Sequence, residues 1–163
     1  MTMLPDPAEL VAGTGLPATS HLQRVLVSEL ARIPLLPVMA SPPTASGAAP
    51  FEAALRRDAA ARGGAIIAEY KQASPSLGPF AAGTPLLPQL EAYRQGGASA
   101  FSILTEPALF RGSARDLTLA TGLGVPCLYK GFVLSEAQLD EAAMAGAQAV
   151  LLCLLYTSDA ADE

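Results

Sequence analysis

Between Ala65 and Leu152 four short apolar runs (Ala65–Lys71, Ala98–Leu104, Val125–Lys130 and Ala149–Leu152) alternate with three segments of helical spacing. Glycine punctuates the pattern: Gly63-Gly64, Gly96-Gly97, Gly122 with Gly124, and Gly146 each stand shortly before a run. Helices commonly end on glycine, and a switch of apolar period from two to about 3.6 and back marks strand, helix, strand. Strands that alternate with helices of this length pair in parallel, because each helix carries the chain back across the sheet. Three helices are expected in the intervals. One spans Leu86–Gln95. A short one is capped by Ser113, with Asp116 three residues on. One opens on a capping box of Ser135 and Gln138 and reaches Ala145.

Composition agrees with buried parallel strands. Hydrophobic residues make up 51% of the 163-residue chain, charged residues only 15%, and the mean hydropathy is +0.35. Strands covered on both faces need such a composition. The formal charge is −5 and no Lys/Arg cluster occurs, which argues against nucleic acid or an anionic membrane as partner. No apolar run reaches the roughly 20 residues of a membrane span. The N-terminus has no basic segment followed by an apolar core, so no signal peptide is expected. Cys127 and Cys153 both fall in apolar strand-like runs and read as reduced, buried and structural. With His21 as the one histidine, no zinc-ligand spacing exists; His21 falls in a helix and is expected at the surface.

Residues 1–18 are rich in proline and glycine and read as irregular. A helix is expected from Ser20 to Ile33, with Leu22, Val25, Leu26 and Leu30 on one face and Pro34 and Pro37 ending it. Ala40–Pro50 reads as a Pro/Ser/Ala-rich linker, and Phe51–Arg62 as a second helix.

Chemistry gathers where strands end. Ile66–Lys71 reads as a buried strand, yet Glu69 and Lys71 are two residues apart and so share a face. A carboxylate and an ammonium on an apolar strand are costly unless paired or used. The plainer reading is a structural ion pair. The strand then enters Ser74-Pro75-Ser76. Thr105 and Glu106 follow the second run, and Lys130 closes the third. Ligands of parallel α/β folds bind at this C-terminal end of the strands.

Three segments together resemble indole-3-glycerol-phosphate synthase, a (β/α)8-barrel enzyme family. They are Ile66-Ala-Glu-Tyr-Lys-Gln-Ala-Ser-Pro-Ser76; Gly97-Ala-Ser-Ala-Phe-Ser-Ile-Leu-Thr-Glu106 with Phe110-Arg111-Gly112-Ser113; and Val125-Pro-Cys-Leu-Tyr-Lys-Gly-Phe-Val133 with Gln138 and Ala145–Leu152. Order and spacing both match from Phe51 to Leu152. The resemblance implies a carboxy-lyase that closes an indole ring on an open-chain phosphorylated anthranilate ribulose, with loss of carbon dioxide and water. It implies Lys130 as general acid, Lys71 on the substrate carboxylate, and Glu69 orienting and charge-balancing both lysines. It also implies Ser74 as a substrate contact, and Phe110 and Phe132 lining the slot for the aromatic ring. The plainer readings are a surface lysine at a strand end for Lys130 and core packing for the two phenylalanines. Neither metal nor organic cofactor is implied, and the family's setting is the cytoplasm.

The resemblance has limits. The family has an aspartate where this chain has Gly131, which is expected to remove a partner and loosen the loop. Some members have a lysine where Ala73 stands. Residues 1–50 match weakly. The barrel needs eight strands and typically about 250 residues, and this sequence supplies four strands. The expected fold is therefore α/β, a (β/α)8 barrel reduced to about its first four strands, in residues 51–152, behind an N-terminal helical extension of residues 1–50. The family's general base, further polar contacts and phosphate loops belong to strands five to eight. Residues 153–163 resemble a translated sequencing adapter, although Leu154 and Leu155 would also suit a strand; the rival reading is a natural acidic tail. Two other functions stay open: a phosphoribosylanthranilate isomerase-like barrel, for which no cysteine/aspartate pair is visible at the strand ends, and a non-catalytic half-barrel that self-associates through its unpaired edges.

Overall fold

The structure, a computed structural model, describes residues 11–17, 19–39, 50–80 and 85–152. The expected linker up to residue 49, Cys153 and the rest of the tail lie outside them.

Helix α1 spans His21–Arg32. Ser20 caps it by accepting a hydrogen bond from the Gln23 amide at 3.0 Å, and Pro34 turns the chain into a 3-10 segment, Ile33–Leu35. Leu26, Leu30 and Ile33 form a small apolar cluster with Val11, against which Leu134 packs. His21 is exposed. Helix α2 spans Pro50–Arg62. Arg62 reaches forward to the Gly97 carbonyl at 3.0 Å and the Ser99 hydroxyl at 3.2 Å, fixing α2 against the turn that opens the second sheet strand.

The sheet is parallel throughout, in the order β1 (Ile67–Tyr70), β4 (Ala100–Leu104), β5 (Cys127–Lys130), β6 (Ala149–Val150). Helices α3 (Leu86–Gln95), α4 (Ala114–Thr121) and α5 (Glu136–Met144) connect the strands. Ser113 caps α4 by accepting from the Asp116 amide at 3.1 Å. The Gln138 side chain reaches back to the Ser135 amide at 3.2 Å, its half of the expected capping box. Phe101, Ile103, Cys127 and Tyr129 point to the helices and pack with Leu90, Leu117, Ala120 and Ala142 in the main core. Burial pushes the Cys127 thiol up to about 12, so it is an inert core residue.

The alternate residues, Ile67, Glu69, Ser102, Leu104, Leu128 and Lys130, face the other side of the sheet. The expectation of a buried first strand fails here. Ile66 and Ile67 are 56% and 45% exposed; β1 is an edge strand among the described residues, and Ile67 lies on the face turned away from the helices. The central strand β4 is buried along its whole length. Between β1 and α3, where a plain loop was expected, β2 (Ala73–Ser74) and β3 (Gly78–Pro79) form a small antiparallel hairpin. It closes because Gly78 takes φ 66°, a conformation glycine adopts without a Cβ penalty.

Candidate functional site

Register brings the charged residues to one place. Glu69 pairs with Ser102 across β1 and β4, and Leu104 pairs with Lys130 across β4 and β5. Lys130 thus stands two strands away from Glu69, yet its Nζ donates to Glu69 Oε2. Lys71, just beyond the end of β1, places its Nζ 3.0 Å from Glu69 Oε1. One carboxylate holds two ammonium groups, one on each oxygen. All three side chains keep partial contact with water, at 36%, 38% and 29% exposure for Lys130, Lys71 and Glu69. Burial alone would raise the Glu69 carboxyl, but the hydrogen bonds and charges of Lys130 and Lys71 outweigh it and hold the group below the usual carboxylate range. The result is an ionised carboxylate presenting two cations at the strand ends, a geometry that can steady an anionic group and donate a proton nearby.

Between the two partners lies β4, and its residue in register with Glu69 is small. Ser102 is buried, and its hydroxyl has no hydrogen-bond partner among the described residues.

Phe110 and Phe132 lie on the loops that follow β4 and β5. Their rings face each other with centroids 6.5 Å apart and planes tilted by 34°. Neither belongs to the buried core, so the core-packing reading does not describe them. Ser74 sits in the β2–β3 hairpin, where its hydroxyl accepts from the Leu77 amide at 3.2 Å and lies 3.4 Å from the Ser76 hydroxyl. It shapes the loop after β1.

Gly131 immediately follows Lys130. A Cβ built there would fall 2.7 Å from Thr105 Oγ1 and 3.0 Å from Tyr129 Cε1. The expectation that glycine merely loosens this loop is therefore incomplete: the space beside Gly131 is filled. Thr105 occupies it and donates through its amide (2.9 Å) and its hydroxyl (3.2 Å) to the Lys130 carbonyl.

Sequence reasoning passed over the buried polar groups beneath the site. On α1, Glu29 and Arg32 lie on the apolar stripe; a carboxylate at that position was the available signal. Arg32 binds Glu29 at 2.8 Å and Glu141 of α5 at 2.7 Å, and Tyr129 donates to Glu141 at 2.7 Å. Burial raises the Glu29 carboxyl above its usual range against the opposing pull of Arg32, and one of its oxygens has no partner among the described residues. The fully buried Gln138 donates to Glu29 at 2.8 Å and to the Phe132 carbonyl at 2.9 Å. It also accepts from the Leu134 amide at 2.7 Å. Helix α1 is thus wired, through Gln138, to the loop that carries Phe132. Among the described residues no group of three His, Cys, Asp or Glu could hold a metal ion, and no helix is long and apolar enough to cross a membrane.

The family model for indole-3-glycerol phosphate synthase matches residues 21–161. The indole-3-glycerol phosphate synthase of Listeria welshimeri is 42% identical over 97 residues, 59% of this chain and 38% of the relative. That of Desulfosudis oleivorans is 45% identical over 104 residues, 63% and 40% of the two chains. A Ralstonia nicotianae protein, indole-3-glycerol phosphate synthase 2, is 44% identical over 91 residues, 55% and 34%. The alignments thus cover little more than a third of each relative's own length. With a family match over most of the sequence, a parallel sheet that carries the motif residues at its strand ends, and relatives above 40% identity, this chain belongs to the indole-3-glycerol phosphate synthase family.

Proposed function

We propose that residues 51–152 form the first half of a (β/α)8 barrel whose active site makes indole-3-glycerol phosphate. The substrate is 1-(2-carboxyphenylamino)-1-deoxyribulose 5-phosphate, and the reaction releases carbon dioxide and water as the indole ring closes. The observation that carries this reading is the convergence of Lys130 and Lys71 on Glu69. Lys130, held by Glu69, donates a proton to the substrate ketone oxygen as the aromatic carbon attacks the ketone carbon. Lys71 holds the carboxylate that leaves as carbon dioxide. Phe110 and Phe132 line the slot for the aromatic ring, and Ser74 presents a hydroxyl to the substrate from the hairpin after β1. The phosphate and the general base fall to the remaining strands of the barrel. No step calls for a metal or an organic cofactor. An aqueous compartment such as the cytoplasm suits a phosphorylated substrate of this polarity.

The direct test is a complete barrel in which residues 21–152 of this chain precede the remaining strands of the Listeria welshimeri relative. Formation of indole-3-glycerol phosphate by that chimera is the expected result, unchanged by dialysis against chelator. A folded chimera without turnover, or one whose turnover needs a metal, contradicts the reading.

A further inference from the structure

Phe110 can serve as one wall of an aromatic slot only if the loop that carries it is fixed. That loop, residues 105–112, is organised around one side chain. Glu106 is fully buried, and its carboxylate accepts three successive backbone amides: Ala108 on Oε1 at 2.8 Å, and Leu109 and Phe110 on Oε2 at 2.7 and 3.0 Å. Its own carbonyl accepts from the Gly112 amide at 2.9 Å. The chain can then close only by an unusual route. Arg111 adopts φ 55°, a region few side chains enter. Gly112 lies so near the end of β4 that a Cβ would fall 2.0 Å from the Leu104 carbonyl oxygen. A backbone held in a sparsely populated conformation persists where its surroundings over-determine it, and here the buried carboxylate does so. The last amide it binds belongs to Phe110 itself.

We propose that Glu106 is a positioning residue for substrate: without touching it, Glu106 folds the β4–α4 loop into a concave turn and so sets the Phe110 ring opposite Phe132. The inference rests on the functional reading above, in which these two rings line the slot for the aromatic part of the substrate. A carboxylate suits the task because it is acceptor-only and offers an oxygen to every amide. A glutamine would turn an N–H2 toward at least one of the amide donors.

The test is kinetic and uses the chimera described above. Glu106→Gln is expected to raise KM by about three- to tenfold, the worth of one well-placed aromatic contact, with a smaller change in kcat, since a slot for an unreacting ring face contributes mainly uniform binding. The same substitution made in a Phe110→Ala background is expected to change KM no further, because Glu106 acts through Phe110. A residue that only stabilises the fold would leave KM unmoved in the folded fraction or add its effect regardless of Phe110; either result overturns the proposal. Should Glu106→Gln not fold, Glu106→Asp, which keeps the charge but withdraws the oxygens from the amides, is put through the same cycle with the same two outcomes. An inactive parent chimera would instead overturn the functional reading, and this inference with it.

Discussion

Lys130 on β5 and Glu69 on β1 form an ion pair over the top of the strand between them. Neighbouring strands stand about 4.8 Å apart, so the pair spans roughly 10 Å of sheet, a reach that the four methylenes of Lys130 allow. Lys71 completes the arrangement from the loop side. Each lysine is thereby aimed into the space above the sheet instead of extending freely into water.

The Glu69 carboxyl is held below its usual range by the two lysines, so its ionised form favours the folded state. That contribution is present above the carboxyl's unfolded-state value, 4.5, and is lost as pH falls through the lower folded value. Urea unfolding measured between about pH 3 and 6 should show stability falling toward acid, and Glu69→Gln should flatten that limb. An equally steep limb in the variant would show that Glu69 does not carry the effect.

Gly131 is packed against Thr105 and Tyr129, so Gly131→Ala should cost about 1–3 kcal/mol, the usual penalty for overpacking. Part of that cost should disappear in a Thr105→Ala background, since residues in contact couple. Denaturant midpoints for the four proteins of this cycle check the claim; full additivity would mean that the backbone moves aside and Thr105 is not the obstacle.

Arg32 ties α1 to α5 by holding Glu29 and Glu141 at once. Arg32→Ala leaves two largely buried carboxylates without their cation, a change that typically costs about 3–5 kcal/mol, discounted here to about 2–4 because Arg32 keeps some contact with water. A loss below about 0.5 kcal/mol in urea denaturation would put this network among ordinary surface ion pairs.

A polypeptide of these 163 residues alone should form no indole-3-glycerol phosphate and should migrate as oligomers or aggregate. Among the described residues strands β1 and β6 are both sheet edges, and Ile66, Ile67, Leu151 and Leu152 are exposed beside them, which together invite association. Sizing chromatography beside an assay for that product decides this. A compact monomer with turnover would contradict it.

Much of this was legible in the sequence because local signals agreed with the fold. Glycine stops, the Ser113 cap, the capping box of Ser135 and Gln138 and the period changes placed the helices and sheet strands to within a few residues. The sharing of one face by Glu69 and Lys71 followed from the strand period alone. What stayed hidden was non-local. Nothing near Lys130 in the chain says that its ammonium crosses β4, because that depends on the register of three strands. The exposure of Ile67 depends on what covers the second face of an edge strand, which apolar composition does not report. Glu106 and Gln138 look like ordinary polar residues at a strand end and in a capping box. Their burial, and the loop amides they hold, emerge only when the β4–α4 and β5–α5 loops close over them.

The central claim is that Lys130 is the group that protonates the substrate, and Lys130→Ala in the complete chimeric barrel tests it most directly. General acid–base groups typically contribute about 10²–10⁴-fold, and a proton donated as the bond forms acts in the transition state more than in the bound substrate. The account predicts a fall in kcat of about 10²-fold or more, with KM changed much less. A folded variant whose kcat drops less than about fivefold would contradict it.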